Sequence, residues 1–219
     1  MKALVFDAYG TLFDVFSVTS LCDELFPRRG KELSQTWRRK QLEYTWLLSL
    51  MGRYRDFWSL TEDALVYSTN SLKLDLTGDK RAQLMESYLR LTTFPDVKPG
   101  LESLKLIGLR LAILSNGEPK MLASAVQSAG IGHLIDDVFS VDRVKIFKPS
   151  PRVYDRLPAD LKIDKAEIGF VSSNNWDVNG AGSAGFYAFW LRRSGEIPEE
   201  LAYPAARSID ALTELRSLL

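Results

Sequence analysis

One feature near the start constrains the fold most. A short apolar run, residues 3–6 (ALVF), stops at Asp7, and no strand-like run follows it through residue 91. A run this short and apolar predicts a buried strand. The block from 17 to 91 is instead rich in Leu, Trp, Arg, Lys and Glu. Within residues 31–51, Leu33, Trp37, Tyr44, Leu48 and Met51 fall at helical spacing, and Arg38, Leu42 and Trp46 form a neighbouring stripe. Residues 60–76 and 80–91 also read as helices, so an all-helical bundle is expected here.

After Pro95 and Pro99 the pattern changes. Helices are expected over 101–107, 119–129, 151–157 and 177–184, and strands over 109–114, 138–141, 168–171 and 187–191. Gly108 and Gly130 stop the first two helices. Alternation of this kind predicts an α/β fold, a doubly wound, Rossmann-like parallel sheet with helices on both faces. The expected division is a core of 1–14 and 92–219, with 15–91 as an inserted helical domain.

Composition narrows the partners. The 28 Lys+Arg are balanced by 28 Asp+Glu, which argues against a general nucleic-acid binder, since such binding rests on neutralising phosphates. The 46% hydrophobic content belongs to a globular chain, not a disordered one. A single cysteine, Cys22, allows no intramolecular disulfide or Cys-rich zinc site, and a single histidine, His133, allows no histidine cluster. No segment approaches the ~20 apolar residues that span a bilayer. The opening stretch meets Asp7 too early for a signal-peptide core. A cytoplasmic enzyme is the expected class.

Ligands of open α/β sheets bind beyond the carboxyl ends of the strands. The expected strands end on Asp7, Tyr9 and Thr11; on Ser115 and Asn116; on Lys148, in a loop after the third; and on Ser172, Asn174 and Asp177. A strand-end Asp is often only a turn or cap residue, and a Lys beside Pro is usually solvated. Their convergence on one rim is what points to a site.

DAYGTLFD, LSNG, Lys148-Pro149 and Asp177 resemble the four motifs of the haloacid dehalogenase superfamily, and the helical insert resembles its cap. FDAYGTLFDV, WRRKQLEYTWL, YRDFWSLTEDAL, LAILSNG, KPSPRVY and FVSSNNWD are similar to the L-2-haloacid dehalogenases over nearly the whole chain. Phosphatases of the superfamily carry an acid two residues after the nucleophile. Here that position is Tyr9. A halide leaves as a stable anion and needs no proton, so the change suits dehalogenation and harms phosphate-ester hydrolysis.

The resemblance implies a role for each residue. Asp7 would be the nucleophile and form an ester with the substrate. Thr11 would hold its rotamer or simply cap a helix. Lys148 would place positive charge beside Asp7, which favours an ionised carboxylate and takes the electrostatic place of Mg²⁺. Tyr154 would orient Lys148 or serve as packing. Ser115, with backbone amides of Ala8, Tyr9 and Asn116, would bind the substrate carboxylate. Arg38, rather than Arg39, would face the site and cradle the halide with Asn116. Phe57 and Trp176 would wall the pocket. Ser172, Asn174 and Asp177 would serve hydrolysis of the ester, with the division of labour among Asp177, Lys148 and Asn174 left open. The expected reaction takes (S)-2-haloalkanoic acids to (R)-2-hydroxyalkanoic acids and halide, with no metal or cofactor, and the resemblance implies a homodimer, which the family often forms. The rivals are a Mg²⁺-dependent phosphatase and a non-catalytic binding protein on the same core.

Overall fold

The computed structural model describes residues 1–219 apart from Ser194 and Glu196. Six strands form one parallel sheet: β1 (Ala3–Phe6), β2 (Arg110–Ser115), β3 (Asp137–Ser140), β4 (Ile168–Ser172), β5 (Tyr187–Leu191) and β6 (Arg207–Ile209). Their order is β3-β2-β1-β4-β5-β6, so the chain reverses its direction of travel across the sheet at the β1/β4 pair. That pair is a topological switch point, where a crevice opens beyond the strand ends. All four residues of β1 are fully buried, as a central strand covered on both faces requires. Burial of each such Val, Leu or Phe contributes about 1.5–3 kcal/mol.

Ten α-helices complete the described fold: α1 (Thr19–Leu25), α2 (Gly30–Leu50), α3 (Phe57–Ser71), α4 (Gly78–Ser87), α5 (Val97–Lys105), α6 (Pro119–Ser128), α7 (Pro151–Tyr154), α8 (Leu157–Leu161), α9 (Asn175–Ser183) and α10 (Leu215–Leu218). Helices α1–α4 follow β1 and pack on one another, chiefly α2 on α3 and α1 on α2. Three later helices pack on the sheet: α5 against β2, α6 against β3, and α9 against β4 and β5. Right-handed crossovers place α5 and α6 on one face and α9 on the other once the direction of travel reverses.

Several element bounds differ from the sequence expectation. The α3 helix starts at Phe57 because Asp56 accepts from the Ser59 amide at 2.8 Å, and α4 starts at Gly78 behind a Thr77 cap. The expected helix over 151–157 is two short helices, α7 and α8, the second with proline near its start. The three-residue edge strand β6 and the short helices α1 and α10 carry no periodic signal long enough to read. Among the described residues, no helix is long and apolar enough to cross a membrane.

Candidate active site

Asp7 directly follows β1, and its amide donates to Val171 O on β4 at 2.9 Å. The carboxylate therefore stands at the switch point, 5% exposed. Its two oxygens are treated unequally. Oδ2 accepts from Asn174 Nδ2 at 2.8 Å and Thr11 Oγ1 at 2.9 Å, and lies 3.5 Å from Ser172 Oγ. Among the described residues, Oδ1 has a single partner, Lys148 Nζ at 3.1 Å. One oxygen is thus locked and the other keeps lone pairs free. Thr11 caps no helix, since α1 begins at Thr19. Its hydroxyl also accepts from the Ser173 amide at 2.9 Å, tying the β1 and β4 loops together.

Lys148 bridges two carboxylates. Its ammonium lies 3.1 Å from Asp7 and 2.9 Å from Asp177 Oδ2, and its side chain is fully buried. Burial alone lowers a lysine pKa, but here the Asp177 and Asp7 charges and their hydrogen bonds outweigh it, and the pKa is raised. Asp177 is shifted to about 6: burial raises it, Lys148 pulls it back, and the nearby Asp7 charge raises it again. Tyr154 donates to Asp177 Oδ1 at 2.5 Å. Its phenol pKa is well above the ordinary value, pushed there by burial and by the Asp177 charge.

The contact differs from the expectation: Tyr154 hydrogen-bonds Asp177 and, among the described residues, makes no hydrogen bond to Lys148. Lys148 lies in the loop before α7, so the six-residue interval is no count of helical turns; Tyr154 ends α7, which packs on α9 beside Asp177.

The α2 helix brings Arg38 to the same rim. Arg38 is buried while Arg39 is exposed, so α2 turns Arg38 inward and Arg39 to solvent. Arg38 Nη2 donates to Tyr9 O at 3.1 Å and Nη1 to Gln41 Oε1 at 2.8 Å. Burial lowers the Arg38 pKa from its usual value, but a guanidinium starts so high that it keeps its proton. Across the site, Asn116 Oδ1 accepts from the Lys148 amide at 2.9 Å, which leaves its NH₂ free to donate. The amides of Ala8, Tyr9 and Asn116 donate to no carbonyl or side chain among the described residues. Ser115 Oγ accepts from the Gly117 amide at 3.0 Å and retains its own proton.

Asp7, Tyr9, Arg38, Leu42, Phe57, Ser115, Asn116, Asn174 and Trp176 enclose a cavity of about 10 Å³, room for about one water molecule. Phe57 stacks obliquely on Tyr9, with centroids 5.6 Å apart, and Trp176 meets Trp46 edge-on at 5.4 Å. Arg38, Leu42, Asn174 and Trp176 also border an outer cavity of about 500 Å³. The Tyr9 hydroxyl is buried without a partner among the described residues, and burial raises its pKa. His133 is exposed and Cys22 is buried away from this rim.

Of the residues singled out from sequence, Asp7, Tyr9, Arg38, Phe57, Ser115, Asn116, Asn174 and Trp176 line the cavity; Ala8, Thr11, Lys148 and Ser172 adjoin Asp7, and Asp177 and Tyr154 stand behind Lys148. Three others were missed. Gln41 holds Arg38 and passes the contact to Thr61 Oγ1 at 2.6 Å; its position three residues after Arg38 was the readable signal. Ser173 links the two loops. Leu42 closes the cavity, one turn after Arg38.

The haloacid dehalogenase-like hydrolase family model matches residues 1–185. The (S)-2-haloacid dehalogenase of Pseudomonas sp. (strain YL) is 49% identical over 201 residues, covering 92% of this chain and 87% of that protein. The solved L-2-haloacid dehalogenase RSc1362 superimposes with a TM-score of 0.97 at 44% identity, covering 100% of this chain and 98% of that one. The Xanthobacter autotrophicus L-2-haloacid dehalogenase, solved with chloropropionic acid covalently bound, gives 0.91 at 41% identity, with 100% and 98% covered. A match of this length in both sequence and fold places the chain in the haloacid dehalogenase-like hydrolases, on the branch of the (S)-2-haloacid dehalogenases.

Proposed function

We propose that the chain hydrolyses (S)-2-haloalkanoic acids to (R)-2-hydroxyalkanoic acids and halide through an ester on Asp7. The observation that carries this reading is the inequality of the Asp7 oxygens: among the described residues, Oδ2 is locked by three side chains and Oδ1 is paired only with Lys148. Oδ1 attacks C2 of the substrate, and the carbon–halogen electron pair leaves with the halide. Arg38 and the free Asn116 NH₂ receive that anion. The unpaired amides of Ala8, Tyr9 and Asn116, with the Ser115 hydroxyl, hold the substrate carboxylate and fix C2 in line with Oδ1.

Water then attacks Cγ of Asp7 and gives up a proton, for which Asp177 is the nearest buried base. Negative charge develops on Oδ2, where Asn174, Thr11 and Ser172 already stand as donors. The Cγ–Oδ1 bond breaks, Oδ1 takes the proton held by Asp177 and leaves as the hydroxyl oxygen of the product, and the restored Asp7 carboxyl gives its proton to solvent. Inversion occurs once, at carbon, because the second attack is on Cγ. The aromatic wall and the small cavity exclude bulk water, which strengthens the charge interactions inside.

Lys148 Nζ occupies the place between Asp7 and Asp177 where a divalent ion would neutralise both. This supports a metal-independent reaction. Halide release from chloroacetate and (S)-2-chloropropionate is expected to persist at full rate after exhaustive EDTA treatment. Loss on chelation with recovery on added Mg²⁺ would return the phosphatase-like reading, and no release under either condition would favour a binding protein.

A second expectation concerns the halide cradle. Arg38→Lys removes the planar fork that bonds Tyr9 O and Gln41 and is expected to lower kcat/KM by about 10²-fold. Exposed Arg39→Ala is expected to match wild type. Equal damage at both positions, by steady-state kinetics, would remove Arg38 from the site.

The same reading takes 1–14 and 92–219 as the catalytic core and 15–91 as the cap, in a cytoplasmic homodimer. Exposed Leu47, Leu50 and Met51 on and just after α2 support an apolar contact between copies, and sedimentation equilibrium measures it.

A further inference from the structure

Arg193 lies two residues beyond β5, with its side chain only 10% exposed. Its Nε and Nη2 donate to Thr11 O at 3.2 and 2.8 Å, and Nη1 donates to Asp96 Oδ1 at 2.6 Å. The guanidinium sits 4.1 Å from the Phe94 ring centroid. The other Asp96 oxygen accepts from the Leu212 amide at 2.7 Å. Among the described residues, Thr11 O accepts from Arg193 alone. The place is a junction. Asp14 N donates to Thr92 O at 2.8 Å and Phe94 N to Leu12 O at 3.3 Å, so the chain leaving for the helical insert pairs here with the chain returning from it.

We propose that Arg193 is a positioning residue for dehalogenation. Anchored on Asp96, it holds the Thr11 carbonyl and thereby aims the Thr11 hydroxyl at Asp7 Oδ2. The proposal rests on the nucleophilic role given to Asp7 above. Thr11 is fully buried, so without Arg193 its carbonyl loses two fixed, charge-assisted donors whose position a mobile water does not reproduce. The turn from Asp7 to Thr11 then relaxes, and the locked oxygen loses one of its two close donors. Lysine is a poor substitute, because one ammonium cannot bond Thr11 O twice, pair with Asp96 and stack on Phe94 in one plane. Arg193 also borders the outer cavity, so its removal leaves a guanidinium-sized space that solvent can reach.

The test uses full-length Arg193→Ala, Arg193→Lys and Asp96→Asn with (S)-2-chloropropionate. A misplacement of about 1 Å costs about 10²-fold, so kcat of Arg193→Ala is expected to fall about that far. KM should stay within about threefold, since no substrate contact is removed. Millimolar guanidinium should restore kcat about tenfold, whereas sodium at equal ionic strength should not. A simple structural clasp would lower the melting temperature and leave kcat alone. That outcome, or guanidinium that raises the melting temperature without raising kcat, overturns the proposal. If Arg193→Ala does not fold, the other two variants decide: kcat within about threefold of wild type in both sinks it. Absence of halide release from the wild type would instead fail the reading of Asp7.

Discussion

A single turnover in H₂¹⁸O, with enzyme in excess, is expected to leave the heavy oxygen in the Asp7 carboxylate and an unlabelled hydroxyl in the product. The two possible roles of Asp7 separate here. As a nucleophile it lends its own oxygen to the product, and water repairs the loss at Cγ. As a general base it would direct water onto the substrate carbon, so the label would enter the product at once. Both routes invert the carbon, so stereochemistry is silent. The geometry favours the first. Asp7 is itself a wall residue of the cavity, so a substrate held there meets the carboxylate directly. Oδ1 is also bonded to an ammonium, which weakens it as a proton acceptor more than as a nucleophile. Mass spectrometry of the peptide containing Asp7 reads the result, and an unlabelled peptide beside labelled product would end the covalent mechanism. Asp7→Asn should lose turnover by on the order of 10⁴-fold, because the amide presents no comparable nucleophile.

The legible parts of this site are those in which one residue type follows a strong local pattern. The ALVF run predicted β1 and so located Asp7, and LAIL and GFV did the same for Ser115 and Ser172. Those strands are buried on both faces, which writes them as continuous apolar runs. Arg38 shares an apolar stripe of α2 with Leu42 and Trp46, and the family resemblance singled it out over Arg39. What escaped depends on contacts between segments far apart in sequence. Tyr154 meets Asp177 across 23 positions, and Arg193 meets Thr11 across 182. No local periodicity carries either pair. The edge strand β6 escaped for another reason. Its residues Arg207-Ser208-Ile209 include one buried apolar side chain, and three positions cannot set a period.

Lys148→Met should cost both turnover and stability, and the pH dependence of the two identifies the state of Asp177. Methionine fills much of the same volume but leaves two buried carboxylates, formerly 3.1 and 2.9 Å from an ammonium, facing each other uncompensated. Breaking a buried pair by removing one partner typically costs about 3–5 kcal/mol. Loss of the charge beside Oδ1 is expected to lower kcat by about 10²–10³-fold. In the wild type, Asp177 holds its proton up to about pH 6 in the folded state, against an ordinary value of 3.8. The folded state therefore binds the extra proton between these limits, and this group adds stability as pH falls from about 6 toward 4. The raised pKa of Lys148 acts at the other end: its contribution is complete below 10.5 and is lost as pH rises beyond that. Without Lys148, burial and the Asp7 charge act on Asp177 against the Tyr154 hydrogen bond alone, so its folded pKa moves further up. Urea melts of Lys148→Met should show the largest loss near pH 8 and a partial recovery by pH 5, whereas the wild type should change little between 8 and 7. A variant as stable as wild type at pH 8 would mean that Asp177 is already protonated in the native enzyme. It would then be unable to take the proton of the hydrolytic water, and that task would fall to another group.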